Sequence, residues 1–486
     1  MAKRINRRTF LQQAGTGAAA VALGSCAAPV ARQAEGKPAR PNVLFIAVDD
    51  LNDWIGCLGG HPQTRSPNID RLARRGVLLA NAQCAAPACN PSRAALLTGI
   101  RPSRSGVYHN PQPWRPAMPD AVTLPQHFMA HGYRVEGSGK IFHGAYPDPP
   151  SWHEYWPSKT RTRLRDPTPD GRPLNGIPKT AHFDWGPVRA RDEDMGDRQV
   201  ADWARGRLAD GLAEPFFLGV GIFRPHLPWY VPPKYFDMYP PDQVVLPKVK
   251  KTDLDDVPEI GRRMAKPERD HKRVVETDNW HKAVSGYLAS IAFADVCVGR
   301  VLDALDASPY AENTIIVLWG DHGWHLGEKL HWRKFALWEE AAHAPLMMAG
   351  PGIARGGRCT RPVSFMDIYP TLVDLCGLGP NERLEGRSLR PLLQNPQAEW
   401  EPPALTTHGR NNHSLRSERW RYIRYADGSE ELYDHASDEM EWTNLASDPK
   451  YDEVKRRLAR YLPEVNVPDA PRDKRRRSKK KRKKNA

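Results

Sequence analysis

Cys89 opens the segment Cys89-Asn90-Pro91-Ser92-Arg93-Ala94-Ala95-Leu96-Leu97-Thr98-Gly99. Pro91 suits the first turn of a helix, Asn90 is a candidate cap and Gly99 a stop, so the thiol is expected at a helix N-terminus. Unpaired amides and the helix dipole favour anions there, and Arg93 stands one turn along on the same side. A thiol so placed is suited to act directly as a low-pKa nucleophile or to be chemically modified.

Four apolar runs end in charged or imidazole side chains. Asn42–Val48 stops at Asp49 and Asp50. Residues 133–137 lead into SGKIFH, with Lys140 and His143. Phe216–Ile222 leads into FRPH, with His226, and residues 314–319 lead into GDHG, with Asp321 and His322. Short, continuously apolar runs are expected of strands buried on both faces of a parallel sheet. Between them, residues 67–77, 121–132, 197–212 and 280–308 carry apolar side chains at three- and four-residue spacing, the period of helices. The alternation predicts an α/β fold: a doubly wound, mostly parallel sheet flanked by helices. In such sheets ligands bind beyond the carboxyl ends of the strands, where these polar clusters fall.

CNPSR followed by AALLTG resembles the signature of the sulfatases. With VDD, GKIFH, FRPH, GDHGWHLGEK and the later ELYD and EWTNL, the similarity runs from about residue 41 to about residue 449 and is nearest the iduronate-2-sulfatase-like branch of this alkaline-phosphatase-like superfamily. The resemblance implies that Cys89 is converted to formylglycine (3-oxoalanine) by a formylglycine-generating enzyme. It implies that Asp49, Asp50, Asp321 and His322 surround a divalent cation together with an oxygen of the modified Cys89. Three carboxylates are hard donors that suit Ca²⁺ or Mg²⁺ better than zinc, and calcium is the expected ion. His322 departs from the many sulfatases with Asn after this Asp, a position from which it contacts the modified residue.

The reaction so implied is hydrolysis of a sulfate ester on a sulfated sugar or polysaccharide. One hydroxyl of the hydrated formylglycine attacks sulfur to give a covalent sulfoenzyme, and His143 deprotonates the other to release sulfate. Arg93, Lys140, His226 and Lys334 neutralise the sulfate, with His226 donating to the leaving oxygen and Lys140 steadying Arg93's side of the diol. Phosphate or phosphonate ester hydrolysis on the same fold, and a non-catalytic glycan-binding pseudo-sulfatase, are the competing readings. Trp114, Trp152, His182, Trp229, Tyr230, His325 and His331 suggest either an aromatic, cationic cleft or loop packing.

At 486 residues the chain has room for a large domain and a smaller companion. Residues 41–395 are read as the catalytic domain and 396–470 as a C-terminal α+β subdomain, whose runs at 420–425 and 431–433 flank an Asp-Gly turn in a small antiparallel sheet closed by a helix at 450–461. Residues 152–185 read as one long loop. The net charge of +14 sits at the ends: residues 472–486 carry eleven Lys/Arg against one Asp, and Lys3, Arg4, Arg7 and Arg8 carry the rest, leaving the body formally neutral. That distribution argues against specific nucleic-acid binding and leaves the basic tail, residues 471–486, as a solvated segment or a contact for polyanions or a membrane surface. Residues 1–26 resemble a twin-arginine export signal ending in a lipobox, with Cys26 as a candidate lipid acceptor and 27–40 as linker, so the expected location is the periplasm or cell surface. No apolar run reaches the ~18 residues of a membrane helix. Seven cysteines, at 26, 57, 84, 89, 297, 359 and 376, form no dense disulfide framework, though Cys84 and Cys89 are close enough in sequence to pair.

Overall fold

Asn42–Val48 (β1) is buried along its whole length, because it runs through the middle of an eight-stranded sheet. Its alternate residues point to opposite faces: Leu44, Ile46 and Val48 into one core, Val43, Phe45 and Ala47 into the other. The computed structural model describes residues 40–178, 180 and 182–473. The segment read above as an export signal, with Cys26, residues 27–39 and the tail from residue 474 lie outside them.

The other strands are β2 (Val77–Gln83), β3 (Arg134–Gly139), β4 (Glu154–Trp156), β5 (Phe216–Ile222), β6 (Thr314–Gly320), β7 (Leu346–Ala349) and β8 (Gly357–Ser364), in the order β8-β2-β7-β6-β1-β5-β3-β4. β1 is parallel to β5 and β6, and β3 to β5; only β7 runs against its neighbours β2 and β6. Helices α1 (Pro67–Arg75), α4 (Gly196–Asp210) and α5 (Trp280–Asp306) cover one face. α2 (Cys89–Thr98), α3 (Leu124–Ala130) and α6 (Ile368–Leu375) cover the other. The doubly wound, mostly parallel architecture expected from the alternating pattern is therefore the one observed.

Two local expectations need correction. The cap of α2 is Ala88, in extended backbone, rather than Asn90; Cys89 is the first helical residue and Gly99 ends the helix in the left-handed region. Asn90 turns its amide away to donate to the carbonyls of His109 and Gln112, at 3.3 and 2.7 Å. Residues 152–185 are not all loop, since Glu154–Trp156 adds the edge strand β4 beside β3.

Gly139 and Gly221 set the spacing that delivers Lys140. A Cβ on Gly139 would strike the Gly221 carbonyl, and one on Gly221 would strike the backbone of Lys140, so only glycine lets β3 and β5 close here. The Lys140 N–H then donates to the Gly221 carbonyl at 3.0 Å.

The C-terminal sheet is antiparallel: β9 (Ala404–Thr407), β10 (His413–Arg416), β11 (Trp420–Arg424) and β12 (Glu430–Asp434), with the Asp427-Gly428 turn between the last two. One face buries Leu415, Tyr422 and Leu432 against Leu458 of α7 (Asp452–Ala459). The other buries Ile423, Tyr425 and Tyr433 against Leu337 and Trp338, just beyond Lys334. Among the described residues all six cysteines are free, so Cys84 and Cys89 are not paired, and no helix is long and apolar enough to cross a membrane.

Candidate active site

β1 and β6 are adjacent parallel strands, so Asp49 and Asp50 leave the sheet beside Asp321 and His322. Asp50 takes a left-handed backbone, φ +59°, rare for a residue with a Cβ. Both of its backbone groups are held: the N–H donates to Asp321 Oδ1 at 2.9 Å, and the carbonyl accepts from the Tyr287 hydroxyl at 2.8 Å. Tyr287 comes from the N-terminal third of α5, and no motif in the sequence marked it.

The first turn of α2 locks onto the same strand end. Ser92 Oγ donates to the Asp321 carbonyl at 2.5 Å. Arg93 is fully buried; its Nε donates to Asp321 Oδ2 at 2.9 Å, one Nη to Asp49 Oδ1 at 3.0 Å, and the other to the carbonyls of Lys140 and, at 2.9 Å, Ile141. The guanidinium thus spends its donors on the protein and acts on the carboxylates. Lys140 pairs with Asp49 through Nζ. Lys334 Nζ lies 2.5 Å from Asp50 Oδ1 and 2.9 Å from Cys89 Sγ.

Two histidines present lone pairs to this cluster. His322 Nδ1 faces the Gly323 carbonyl at 2.9 Å, which assigns the proton to Nδ1 and leaves Nε2 as an acceptor 3.4 Å from Cys89 Sγ and 3.3 Å from Asp50 Oδ1. Burial lowers this imidazole to about 4, so it is neutral near pH 7. His226 repeats the arrangement, with Nδ1 at 2.6 Å from the Leu227 carbonyl and Nε2 at 3.8 Å from Asp50 Oδ2, and burial holds it well below its ordinary value. His143 lies on the turn after Ile141: its Nδ1 accepts from the Ala145 N–H at 3.4 Å and its ring stands 5.8 Å from Tyr146.

The carboxylates respond unequally. Burial raises Asp50 to about 7 even with Lys334 opposing it, because Asp49 and Asp321 add their charge. For Asp49 burial also works upward but is outweighed by Lys140 and Arg93, which hold it well below the carboxylate range. Burial, reinforced by Asp49, pushes the Cys89 thiol far up, so it is not the low-pKa thiolate that its helix position alone suggested.

One ligand atom each from Asp49, Asp50, Cys89, Asp321 and His322 falls within 4.8 Å of all the others, and every one of these residues is buried. Asp50 Oδ2 has no hydrogen-bond partner. A buried carboxylate oxygen without a donor, in a cluster of converging acceptors, is what a cation satisfies, and the mix of carboxylate oxygens with a neutral imidazole suits a divalent one.

The aromatic cleft is not formed. Trp114, Trp152, Trp229, Tyr230, His325 and His331 are all buried, Trp114 stacking on Phe142 and Trp152 filling the space over Gly137 and Gly219. These large side chains pack the loops that cross the sheet end; of the group only His182 is exposed, its ring 5.5 Å from that of His226.

A family model described as Sulfatase matches residues 41–378, and one described as N-sulphoglucosamine sulphohydrolase, C-terminal, matches residues 320–467. The chain belongs to the sulfatase family, whose reaction is the hydrolysis of sulfate esters. A sulfatase of Formosa agariphila is 39% identical over 464 residues, 92% of this chain and 91% of its own. Iduronate 2-sulfatase of Mus musculus is 31% identical over 447 residues, 78% of this chain and 79% of its own. Among solved structures, a phosphonate monoester hydrolase from Silicibacter pomeroyi shares the fold, with TM-score 0.72 and 24% identity over 87% of this chain and 94% of that one.

Proposed function

We propose that the protein hydrolyses the sulfate ester of a sulfated saccharide, with Cys89 oxidised to formylglycine as nucleophile and calcium held by Asp49, Asp50, Asp321 and His322. The observation that carries this reading is the placement of Cys89 Sγ, 2.9 Å from Lys334 Nζ, 3.4 Å from His322 Nε2 and 3.7 Å from Asp50 Oδ1. Hydrated formylglycine supplies a geminal diol, one hydroxyl to attack sulfur and one to let sulfate leave, and calcium supplies charge neutralisation and polarisation beside it.

The chain's own groups do the rest. Lys334 and Lys140 bring positive charge to the rim of the buried carboxylates, where a sulfate's oxygens need it. Arg93 keeps Asp49 and Asp321 in register. His226 is neutral with Nδ1 committed to Leu227, so Nε2 takes up a proton when an anion arrives beside it and hands that proton to the leaving oxygen. His143 is the candidate base for the second hydroxyl, a role in which its Nδ1 would exchange the Ala145 N–H it accepts here for the diol proton. The relatedness to iduronate 2-sulfatase supports a sugar as the alcohol. Export through residues 1–26, with lipidation of Cys26, belongs to the same reading and is tested by N-terminal sequencing of the protein recovered outside the cytoplasm.

Peptide mass spectrometry across Cys89 tests the nucleophile directly. A peptide about 18 Da lighter than the thiol form, in protein that releases sulfate, supports it. An unmodified Cys89 in active protein, or full activity in Cys89→Ala, overturns it. Phosphonate and sulfate monoesters compared on one preparation separate sulfatase from phosphonate-hydrolase chemistry.

A further inference from the structure

Beyond α7 the chain turns back toward the main sheet. Leu462 still packs with the C-terminal sheet, whereas Ala470 is buried in the core that also takes Leu96 and Leu97 of α2. The strap between them, Pro463 to Asp473, reads PEVNVPDAPRD and contains neither helix nor strand. Pro468 and Pro471 fix their own φ and bias Val467 and Ala470, the residues before them, to extended backbone, so the strap loses little freedom when it docks. It lies along residues 103–111: the N–H groups of Val467, Ala470 and Asp473 donate to the carbonyls of Ser103, Gly106 and Pro111 at 2.9, 2.8 and 2.9 Å. Gly106 has φ +72°, and a Cβ there would stand 2.5 Å from the Pro468 carbonyl oxygen, so only glycine lets the strap lie this close.

From the strap, hydrogen bonds run in a short series to the residue beside Cys89. Gln112 is fully buried. Its Nε2 donates to the Ala470 carbonyl at 2.8 Å and to Asp469 Oδ1 at 3.2 Å, while its Oε1 accepts the N–H groups of Tyr108 and His109 at 2.7 and 2.6 Å. The Tyr108 hydroxyl adds a bond to the Val467 carbonyl at 2.9 Å. The loop fixed in this way presents Asn110, whose Oδ1 accepts the Asn90 N–H at 2.9 Å, and the carbonyls of His109 and Gln112 that hold the Asn90 side chain. N–H groups in the first turn of a helix have no partner within it, and Pro91 has none to give, so the Asn110 contact governs how α2 begins. Cys89, the residue before Asn90, is the first of that helix.

We propose that the strap, residues 463–473, is a positioning segment for the nucleophile: by way of Gln112 and Asn110 it sets the place and direction of the α2 N-terminus, and with it Cys89. The inference rests on the function proposed above, in which Cys89 is the reacting residue. Lys140, His226 and Lys334, the groups assigned to the sulfate, follow β3, β5 and β6, and none of the hydrogen bonds just described touches them. A displaced strap therefore moves the nucleophile against a sulfate that is still held. Since a misplacement of ~1 Å costs about a hundredfold in rate, the effect falls on kcat.

Two full-length variants disturb the strap while leaving Cys89, its charged neighbours and Asn90 in place. Gly106→Ala sets a methyl against the Pro468 carbonyl, and Gln112→Met severs the link to Ala470 at nearly constant volume. In matured protein acting on 4-nitrophenyl sulfate, kcat is expected to fall by about tenfold or more while KM holds within about threefold. Hydrogen exchange on the same proteins should quicken by on the order of tenfold in the peptide spanning Cys89 and Asn90 and stay unchanged in β1. Unchanged kcat in both variants, or unchanged exchange in the Cys89 peptide, overturns the proposal. So does exchange that quickens as much in β1, or a KM that rises as far as kcat falls, because either marks a general loosening. Should both variants fail to fold, Tyr108→Phe removes a single hydroxyl from the Val467 carbonyl; it is expected to shift kcat and exchange in the same directions by about threefold, and no shift in either overturns the proposal. Exchange needs no turnover, so a wild type inactive on sulfate esters counts against the sulfatase reading while the Cys89 peptide still decides the strap.

Discussion

Lys334 Nζ stands 2.9 Å from Cys89 Sγ, across 245 positions of sequence. The loop that carries Lys334 is braced from the C-terminal sheet. Glu431 on β12 accepts the Trp338 indole N–H at 2.7 Å, Arg421 on β11 donates to the Leu337 carbonyl at 3.2 Å, and Glu441 accepts the Glu339 N–H at 3.0 Å. The ELYD and EWTNL segments thus hold by hydrogen bonds the chain that follows Lys334.

Trp338→Phe removes one of three donors from the buried Glu431, which keeps the hydroxyls of Tyr425 and Tyr433 at 2.6 and 2.5 Å. A loss of about 1–3 kcal/mol in urea unfolding is expected, with a fall in kcat on any sulfate ester. Unchanged kcat alongside the lost stability would show that the sheet braces the fold without positioning Lys334.

Arg93→Lys keeps the charge and loses the fork. A lysine cannot reach Asp49, Asp321 and two carbonyls at once, so buried acceptors are stranded. The expected cost is about 3–5 kcal/mol by chemical denaturation, with weakened cation binding. A cost under about 1 kcal/mol would mean that a lysine suffices to hold the two carboxylates together.

Chelation should lower Tm as well as activity, because a cation bound only to the folded site stabilises it by about 2.7 kcal/mol at a hundred times its Kd. Re-addition of calcium is expected to restore both more fully than magnesium does, since the cluster offers several carboxylate oxygens and magnesium gives up its own waters reluctantly. Asp50→Asn removes a charge and should abolish the calcium-dependent rise in Tm. The same rise in that variant would place the ion elsewhere.

Asp295 offers a pH test away from the reactive centre. From α5 it accepts the N–H groups of Asn68 and Ile69 at the start of α1, at 3.0 and 2.8 Å, yet burial raises it to about 6. The folded protein therefore holds this proton more tightly than the unfolded chain, whose carboxyl titrates near ~3.9. Its stabilising contribution is full below pH ~4 and is lost as pH rises toward about 6. Relative to Asp295→Asn, wild-type stability should decline by on the order of 1.4 kcal/mol per pH unit across that window. Parallel Tm curves for the two proteins would contradict it.

Much of this molecule was legible from residue type and spacing. Continuous apolar runs ending in Asp49-Asp50, Asp321-His322 and His226 mark parallel strands and say at which edge their polar ends gather, because a buried strand must place its charges where it leaves the sheet. The helix at Cys89 and its end at Gly99 follow from local backbone preference. What Arg93 touches, that Tyr287 holds Asp50, that the tryptophans fill loops instead of lining a cleft, and that β7 runs antiparallel were decided only by tertiary structure. Each depends on which distant segment arrives opposite, and the energy of a buried polar contact or a filled space belongs to that pairing of partners rather than to either residue's own sequence neighbourhood.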